Sequence, residues 1–265
     1  MACKDPSITF LNQFGYNVVR LPRTGIEPLD VLGKDKSTEW LGPLASVWKS
    51  TVPVPAPGAP QIAASVQGQK SDKLDLSVGL KILGNVLQAF GATVPSLDFA
   101  FQSARKVVFT FTNVTSTSVA PFDAGNFLAD GDLASHNPIV RHYFLDDDDS
   151  GAQAYLIFDV LKSDTITISA VDDKSVGVKL DIPAIQGAVG ANVGVTSADH
   201  TDSTISFKGA ANVTFGFKAM EINFSNGSWS LEGAQATGGL AFAAAAAGAS
   251  TPPQPVILRP GFIRI

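Results

Sequence analysis

Few side chains in this chain of 265 residues could do chemistry. There is one cysteine, Cys3, three residues from the start. A thiol there can accept a single acyl group or sit idle at the surface. With no second cysteine an internal disulfide is impossible, which suits a reducing compartment. His136, His142 and His200 do not fall at metal-ligand spacing, and one thiol cannot build a zinc site. The acidic run Asp146, Asp147, Asp148, Asp149 lacks the glycine turn and distal glutamate of a calcium loop and reads as solvated. No G-x-S-x-G nucleophile turn occurs. Gly187, Gly190 and Gly194 do not fit a dinucleotide or phosphate loop. The residues therefore nominate no catalytic set, no metal site and no cofactor, and the expectation is a protein that is not an enzyme.

Composition narrows the class further. The net charge of −5, without any basic run interleaved with aromatics, argues against nucleic acid as a partner. Gly, Ala, Val, Ser and Thr dominate and only 16% of residues are charged, a mix suited to many strands joined by turns. No apolar export segment precedes Cys3, and Ala2 stands where N-myristoylation needs glycine. No run is long and apolar enough for a transmembrane helix; residues 238–250 are too short and too rich in Ala and Gly. The expected starting location is the cytoplasm.

The elements that would position any site follow from periodicity. Ser7 can cap a short helix with Ile8, Leu11 and Phe14 on one side, stopped at Gly15. Strands are predicted over 16–21, 29–32, 97–101, 107–114 and 154–161, and a helix over 123–133 with Asp123 as its cap. The prolines at nearly every second position of 52–60 exclude helix and central strand. Residues 72–90 carry two patterns at once. Leu74, Leu76, Val78, Leu80 and Ile82 alternate with polar residues as a strand does, whereas Leu83, Val86, Leu87 and Phe90 keep helical spacing. The segment reads as strand then helix, or as a helix in one state and partly a strand in another.

The clearest alternation comes later. Ile166, Ile168 and Ala170 oppose Thr165, Thr167 and Ser169; Val176, Val178, Leu180 and Ile182 oppose Gly177, Lys179 and Asp181; Val189, Val193 and Val195 oppose Gly190, Asn192 and Gly194. Residues 172–175 can turn. Ile205, Phe207, Val213, Phe215 and Phe217 continue the series, and Asn226-Gly227 marks a hairpin between 222–224 and 229–231. After Glu232 the texture changes. Residues 233–251 form a Gly/Ala/Ser linker in which only Leu240 and Phe242 are bulky. Residues 252–265 form a Pro-rich, strongly apolar tail carrying Val256, Ile257, Leu258, Phe262, Ile263 and Ile265. Such a tail must dock on the body, residues 1–232, or aggregate.

The block from Gly15 to Pro28, with Glu39-Trp40-Leu41-Gly42, Val47-Trp48-Lys49-Ser50 and, more loosely, Leu80-Lys81-Ile82-Leu83-Gly84-Asn85, resembles the bacterial gasdermins. The resemblance implies an α+β fold: a twisted, mostly antiparallel sheet with peripheral helices. It implies an autoinhibited pore former, monomeric when intact. A caspase-like protease encoded nearby would remove the tail by cutting within the linker window spanned by Gly238, Leu240, Phe242 and Gly248, and the body would then oligomerise and insert hairpins into the inner-membrane lipids. The outcome would be death of a phage-infected cell. It also implies self-palmitoylation of Cys3, with no other prosthetic group.

Elementary physics sets conditions on that expectation. A membrane strand needs about 9–11 residues with one lipid-compatible face, and the segments around 74–82, 166–170, 176–182 and 189–195 approach this. Unpaired backbone in hydrocarbon costs several kcal/mol per group, so a few strands per chain demand a closed barrel shared among many copies. Losing the tail removes Arg259 and Arg264 and takes the net charge from −5 to −7, so insertion must rest on apolar burial and the acyl chain rather than on attraction to anionic lipid. One acyl chain binds membranes only marginally, about 10⁴ M⁻¹ for myristoyl, and an apolar groove could store it before activation. The other reading of the same alternation is a β-rich binding or structural protein whose second face meets water and whose tail is a permanent part of the sheet.

Overall fold

The computed structural model describes residues 11–71, 73–92, 97–134, 136–145, 152–225, 228–232 and 262–263. A short 3-10 turn, Leu11–Phe14, ends at Gly15 (φ 78°) and leads into β1 (Asn17–Arg23), β2 (Asp30–Lys34), β3 (Thr38–Pro43) and β4 (Trp48–Ser50). Next come β5 (Gln61–Ile62), β6 (Leu74–Asp75), α1 (Leu76–Ala89), β7 (Lys106–Thr112), β8 (Thr115–Ser118) and α2 (Pro121–Ala129). After β9 (Gly131–Leu133) and the brief α3 (Pro138–Val140) the chain makes β10 (Gln153–Val171), α4 (Ile182–Val189), β11 (Gly194–Ser197), β12 (Thr204–Ser225) and β13 (Ser228–Glu232). Phe262–Ile263 forms β14.

Two long antiparallel strands, β10 of 19 residues and β12 of 22, form the axis. Each is flanked by three short strands in succession. Along β10 these are β2, β8 and β7; along β12 they are β13, β1 and β11. The order across the middle is β14-β1-β12-β10-β2-β3. The β10–β12 register slips between Ile157 and Asp159, between Leu161 and Lys162, and between Ser163 and Thr165. Each irregularity bends the pair and strengthens its twist, so different stretches of the same two strands serve different cores. The fold is the expected α+β sheet with helices at its periphery.

The expected hairpin at 226–227 is present as a ladder: Ser225 pairs Ser228 and Phe224 pairs Trp229. The Pro-rich stretch 52–60 is a loop, as expected. Elsewhere burial outvotes alternation. Leu76, Val78 and Leu80 lie in α1, not in a strand; only Leu74 and Asp75 pair, with Val107 and Lys106. Gly79, Leu83, Val86 and Leu87 are buried at helical spacing, and that stripe decides the conformation. Residues 176–182 and 189–195 are not full strands either. Val176, Val178 and Leu180 follow the 172–175 turn and join the sheet through a single bridge at Gly177 and the Val178 N–H to the Ala170 carbonyl. Ile182 and Val189 are the first and last residues of α4. The Asp181 carboxylate accepts from the Ala184 N–H, Pro183 occupies the first turn, and Ile185 and Val189 are buried four apart. Val193 lies in the turn before β11, and Val195 alone of this group is in a strand. The Gln186 side chain fixes that turn, donating to the Gly190 and Val193 carbonyls and accepting from the Val195 N–H.

Two smaller differences have equally local causes. Residues 98–101 are a 3-10 turn because Leu97 and Phe101 are both buried, four apart. The helix expected at 123–133 starts at Pro121 with Ala120 at its cap, and 131–133 is β9, paired with β4.

Candidate functional site

Two places in the fold carry the residues singled out above. The first is the end of the sheet where β7, β10, β11 and β12 run together. On its inner face lie Val107, Phe109, Ile166, Ile168, Ala170, Ile205 and Phe207, all buried. Leu83, Val86 and Leu87 of α1, Phe90 just past its end, and Ile185 and Val189 of α4 cover them in one continuous core. Leu74, Leu180 and Val193 belong to the same core, with Leu76, Leu80, Val178, Ile182 and Val195 packed against its margin. Of the candidate membrane residues only Val78 and Val176 are exposed. Segments scattered over more than a hundred positions are thus brought together.

The opposite face of the same strands is lined by hydroxyls. Thr167 meets Ser206 across the β10–β12 pair and Ser169 meets Thr204 at 3.0 Å, while Thr110 is the β7 partner of Thr167. The four strands therefore have an oily side, closed by two helices, and a side of small hydroxyls that tolerates water. Close approach of α1 depends on glycine. A Cβ on Gly79 would lie 2.0 Å from Val107 Cγ2, and one on Gly209 would lie 2.5 Å from the Phe90 ring and 2.8 Å from Phe90 Cβ.

The second place is the outer edge of β1. β12 holds its inner edge, pairing Asn17 with Phe217 and Val18 with Gly216. β14 adds in parallel on the outside, pairing Val18 with Phe262 and Val19 with Ile263. The side chains of β1 are anchored on both faces. Val18, 7% exposed, packs with Leu11, Tyr16, Val66, Val114 and Leu161; Val19, 1% exposed, packs with Ile26, Leu32, Tyr155 and Phe217. The ladder cannot extend far: the register shifts between Val18 and Arg23, and Pro22 has no N–H to offer. α1 runs alongside β1, so the two places adjoin.

Polar ties fix the entry to this edge. The Tyr16 hydroxyl donates to Asp159 Oδ2 at 2.6 Å, Ser116 donates to Asp159 Oδ1 at 2.6 Å, and the Lys218 ammonium lies 4.4 Å from the centre of the Tyr16 ring. Burial, and then the hydrogen bond to the carboxylate, pushes the Tyr16 hydroxyl pKa well up, so it stays a donor. Asp159 sits at the first slip of the long ladder, where an acid inside an apolar run was the only sequence sign of a partner 143 residues away. Asp30 is a further buried acid, 4% exposed; one of its oxygens accepts from the Glu27 N–H and the Trp40 indole N–H, both at 2.9 Å. Burial raises its pKa against the pull of those two bonds. Leu29 beside it takes a positive φ of 71°, donates to the Ile157 carbonyl and accepts from the Leu44 N–H. A mostly apolar groove of about 380 Å³ opens there between Pro28, Leu29, Trp40, Pro43, Val54 and Pro57.

Cys3, the window residues Gly238, Leu240, Phe242 and Gly248, and the tail residues Val256, Ile257, Leu258 and Ile265 lie outside the described residues. Among the described residues no group of three His, Cys, Asp or Glu could hold a metal ion. No described helix is long and apolar enough to cross a membrane, which leaves strands untested. Reading from residues alone missed α1 as the cover of the oily face, the glycine contacts that seat it, and the carboxylates Asp159 and Asp30.

Comparison with known proteins gives a consistent result. The sequence pattern described as the Bacterial Gasdermin Family matches residues 19–229. A gasdermin bGSDM of Vitiosangium sp. is 38% identical over 261 residues, covering 98% of this chain and 96% of its own. A gasdermin bGSDM of a Desulfuromonadales bacterium is 37% identical over 232 residues, 86% of this chain and 85% of its own. The solved structure of a bacterial gasdermin from Bradyrhizobium tropiciagri superposes with a TM-score of 0.61 at 22% identity, covering 83% of this chain and 88% of that one.

Proposed function

The chain belongs to the bacterial gasdermin family, a family of pore-forming proteins, and on that premise we propose that it is an autoinhibited pore former released by loss of its C-terminal tail. The observation that carries the proposal is the pairing of β14 with the edge of β1. A sheet edge left bare is a template for another chain. A tail that fills it keeps the body from recruiting copies, and its removal licenses assembly.

Membrane insertion has a physical route in the same fold. α1 lies between β6 and β7, and α4 between β10 and β12. Both helices sit in or beside stretches with strand-like alternation, and both cover the apolar face of the strands they join. Drawing them into the ladder would lengthen the strands and turn the uncovered face to lipid. The hydroxyl face would line a water-filled lumen, and the remaining edges would have to close between copies. In this account a protease, caspase-like and encoded nearby, cuts within 233–251. The intact chain is a cytoplasmic monomer, the cut body a homo-oligomer in the inner membrane, and cell death serves defence against phage. A palmitate on Cys3 assists docking, and the groove beside Trp40 has a size suited to an acyl-sized guest.

Vesicle leakage tests the reading. Protein with a protease site engineered between Gly238 and Gly248 should leave dye-filled liposomes intact until it is cut, and then empty them. Leakage before cutting, or none after it, overturns the proposal. The intact mass should show a palmitate-sized increment that vanishes in Cys3→Ala; its absence removes the lipid role alone. If tail loss merely lowers the melting temperature, the tail is a permanent structural strand and the protein a β-rich binding or structural module.

A further inference from the structure

We propose that the outer edge of β1 is a preformed binding site for a short apolar cationic peptide, and that the detached tail can reoccupy it from solution. Cutting then relieves inhibition by dilution, not by destroying a contact. The inference rests on the autoinhibition reading above and adds a ligand to it.

The edge owes its shape to residues other than the tail. Val18 and Val19 are fixed in two separate cores, and the inner side of β1 is held by β12, where the Asn17 amide also reaches the Phe217 carbonyl at 3.5 Å. None of these contacts is altered by a cut after Glu232. The site is also short. Among the described residues the parallel ladder has two pairs, and Pro22, which has no N–H, limits it on one side. Parallel pairing is slightly weaker per residue than antiparallel, so a two-pair ladder supports modest affinity.

Modest affinity suffices inside one chain. Residues 233–261 connect β13 to β14, and a covalent tether of this kind holds its end at an effective concentration on the order of millimolar. At the roughly micromolar levels of a cut cellular protein the same contact empties. A dissociation constant between roughly 10 µM and 1 mM satisfies both conditions. Charge favours the ligand: the tail carries Arg259 and Arg264 and no acid, and the body that remains has a net charge of −7. That attraction is screened by salt.

The test uses full-length protein with the engineered site, cut in place and freed of its tail by gel filtration. A fluorescent synthetic peptide of residues 252–265 is titrated against it without lipid and read by anisotropy; unlabelled peptide is then added to the leakage assay. The expected result is saturable binding in the stated range, weakened by added salt, with leakage slowed in proportion to occupancy. A peptide carrying Phe262→Pro and Ile263→Pro cannot donate to the ladder and should do neither. No binding at 1 mM, equal binding by the proline peptide, or binding that leaves leakage unchanged overturns the inference. Specific binding to a cut body that never leaks supports the site and removes the pore reading instead.

Discussion

Adding one methyl group to Gly79 should test how α1 is seated on the sheet. In an open helix Gly→Ala gains about 1 kcal/mol. Here the new Cβ would lie 2.0 Å from Val107 Cγ2, with Val107 fully buried and its own Cβ 3.4 Å away. Overpacking of this kind costs typically about 1–3 kcal/mol, and so short an approach belongs at the upper end. The net effect of Gly79→Ala is a loss of about 2 kcal/mol, which for a chain near this size lowers the melting temperature by about 4–8 °C. Val107→Ala removes Cγ2 and leaves ordinary contacts, at 3.4 Å with the Cβ of residue 107 and 3.8 Å with Leu74 Cβ. In that background the same Gly79→Ala should stabilise by about 1 kcal/mol, raising the melting temperature by about 2–4 °C. The sign reverses, and the coupling of about 3 kcal/mol is at the top of the range for touching residues. Circular dichroism melts of the wild type, both single variants and the double variant give the cycle. If Gly79→Ala is neutral in the wild type, or equally harmful in both backgrounds, α1 is not seated as described.

Gly131→Ala should cost about 1–3 kcal/mol in a urea titration. Unlike the previous case, trimming the neighbour should not rescue it, because the new Cβ would meet the Lys49 carbonyl oxygen at 2.6 Å as well as the Trp48 indole. Tyr16→Phe removes a donor from a half-buried carboxylate and should cost about 1–3 kcal/mol by the same measurement; an unchanged midpoint would show that the tie to Asp159 is idle. Asp30 has a raised pKa in the folded protein, so its ionisation opposes folding. The stability it withholds is absent below the unfolded pKa of about 3.9 and grows as pH rises through the folded value. Asp30→Asn keeps an oxygen for the Glu27 and Trp40 N–H groups. Its stability relative to wild type should therefore improve from pH 4 to pH 7; a difference flat with pH would mean that Asp30 is not perturbed.

Much of the sheet could be read from residues, and the places where reading failed have physical causes. Ile166, Ile168, Ile205 and Phe207 alternate because one face meets α1 and α4 and the other presents hydroxyls. Each long strand was read as separate pieces because the bulges near Asp159, Lys162 and Ser163 reset which residues face inward, so alternation breaks while pairing continues. Asn226-Gly227 gave the hairpin register because a two-residue turn leaves no latitude. Residues 74–82, 176–182 and 189–195 are harder: they alternate, but spacings such as Leu83–Leu87 and Ile185–Val189 are buried at helical intervals in α1 and α4. Asp123 suggested a cap yet is an acid in the first turn, where it complements the helix dipole behind Pro121. Nothing local pointed to the Tyr16–Asp159 tie or to the pairing of β14 with β1, because each joins segments far apart in the chain.

β1, the first of the described strands to be made, waits for the last of them to pair with its outer edge. β1 is translated near the start and β14 only at residues 262–263, 31 positions beyond the end of β13. At about 5–20 residues per second the ribosome needs roughly 2–6 s to cover that distance. Through that interval the residues that will pair with the outer edge of β1 do not yet exist. On the autoinhibition proposed above, assembly through that edge must be slower than a few seconds at nascent concentrations.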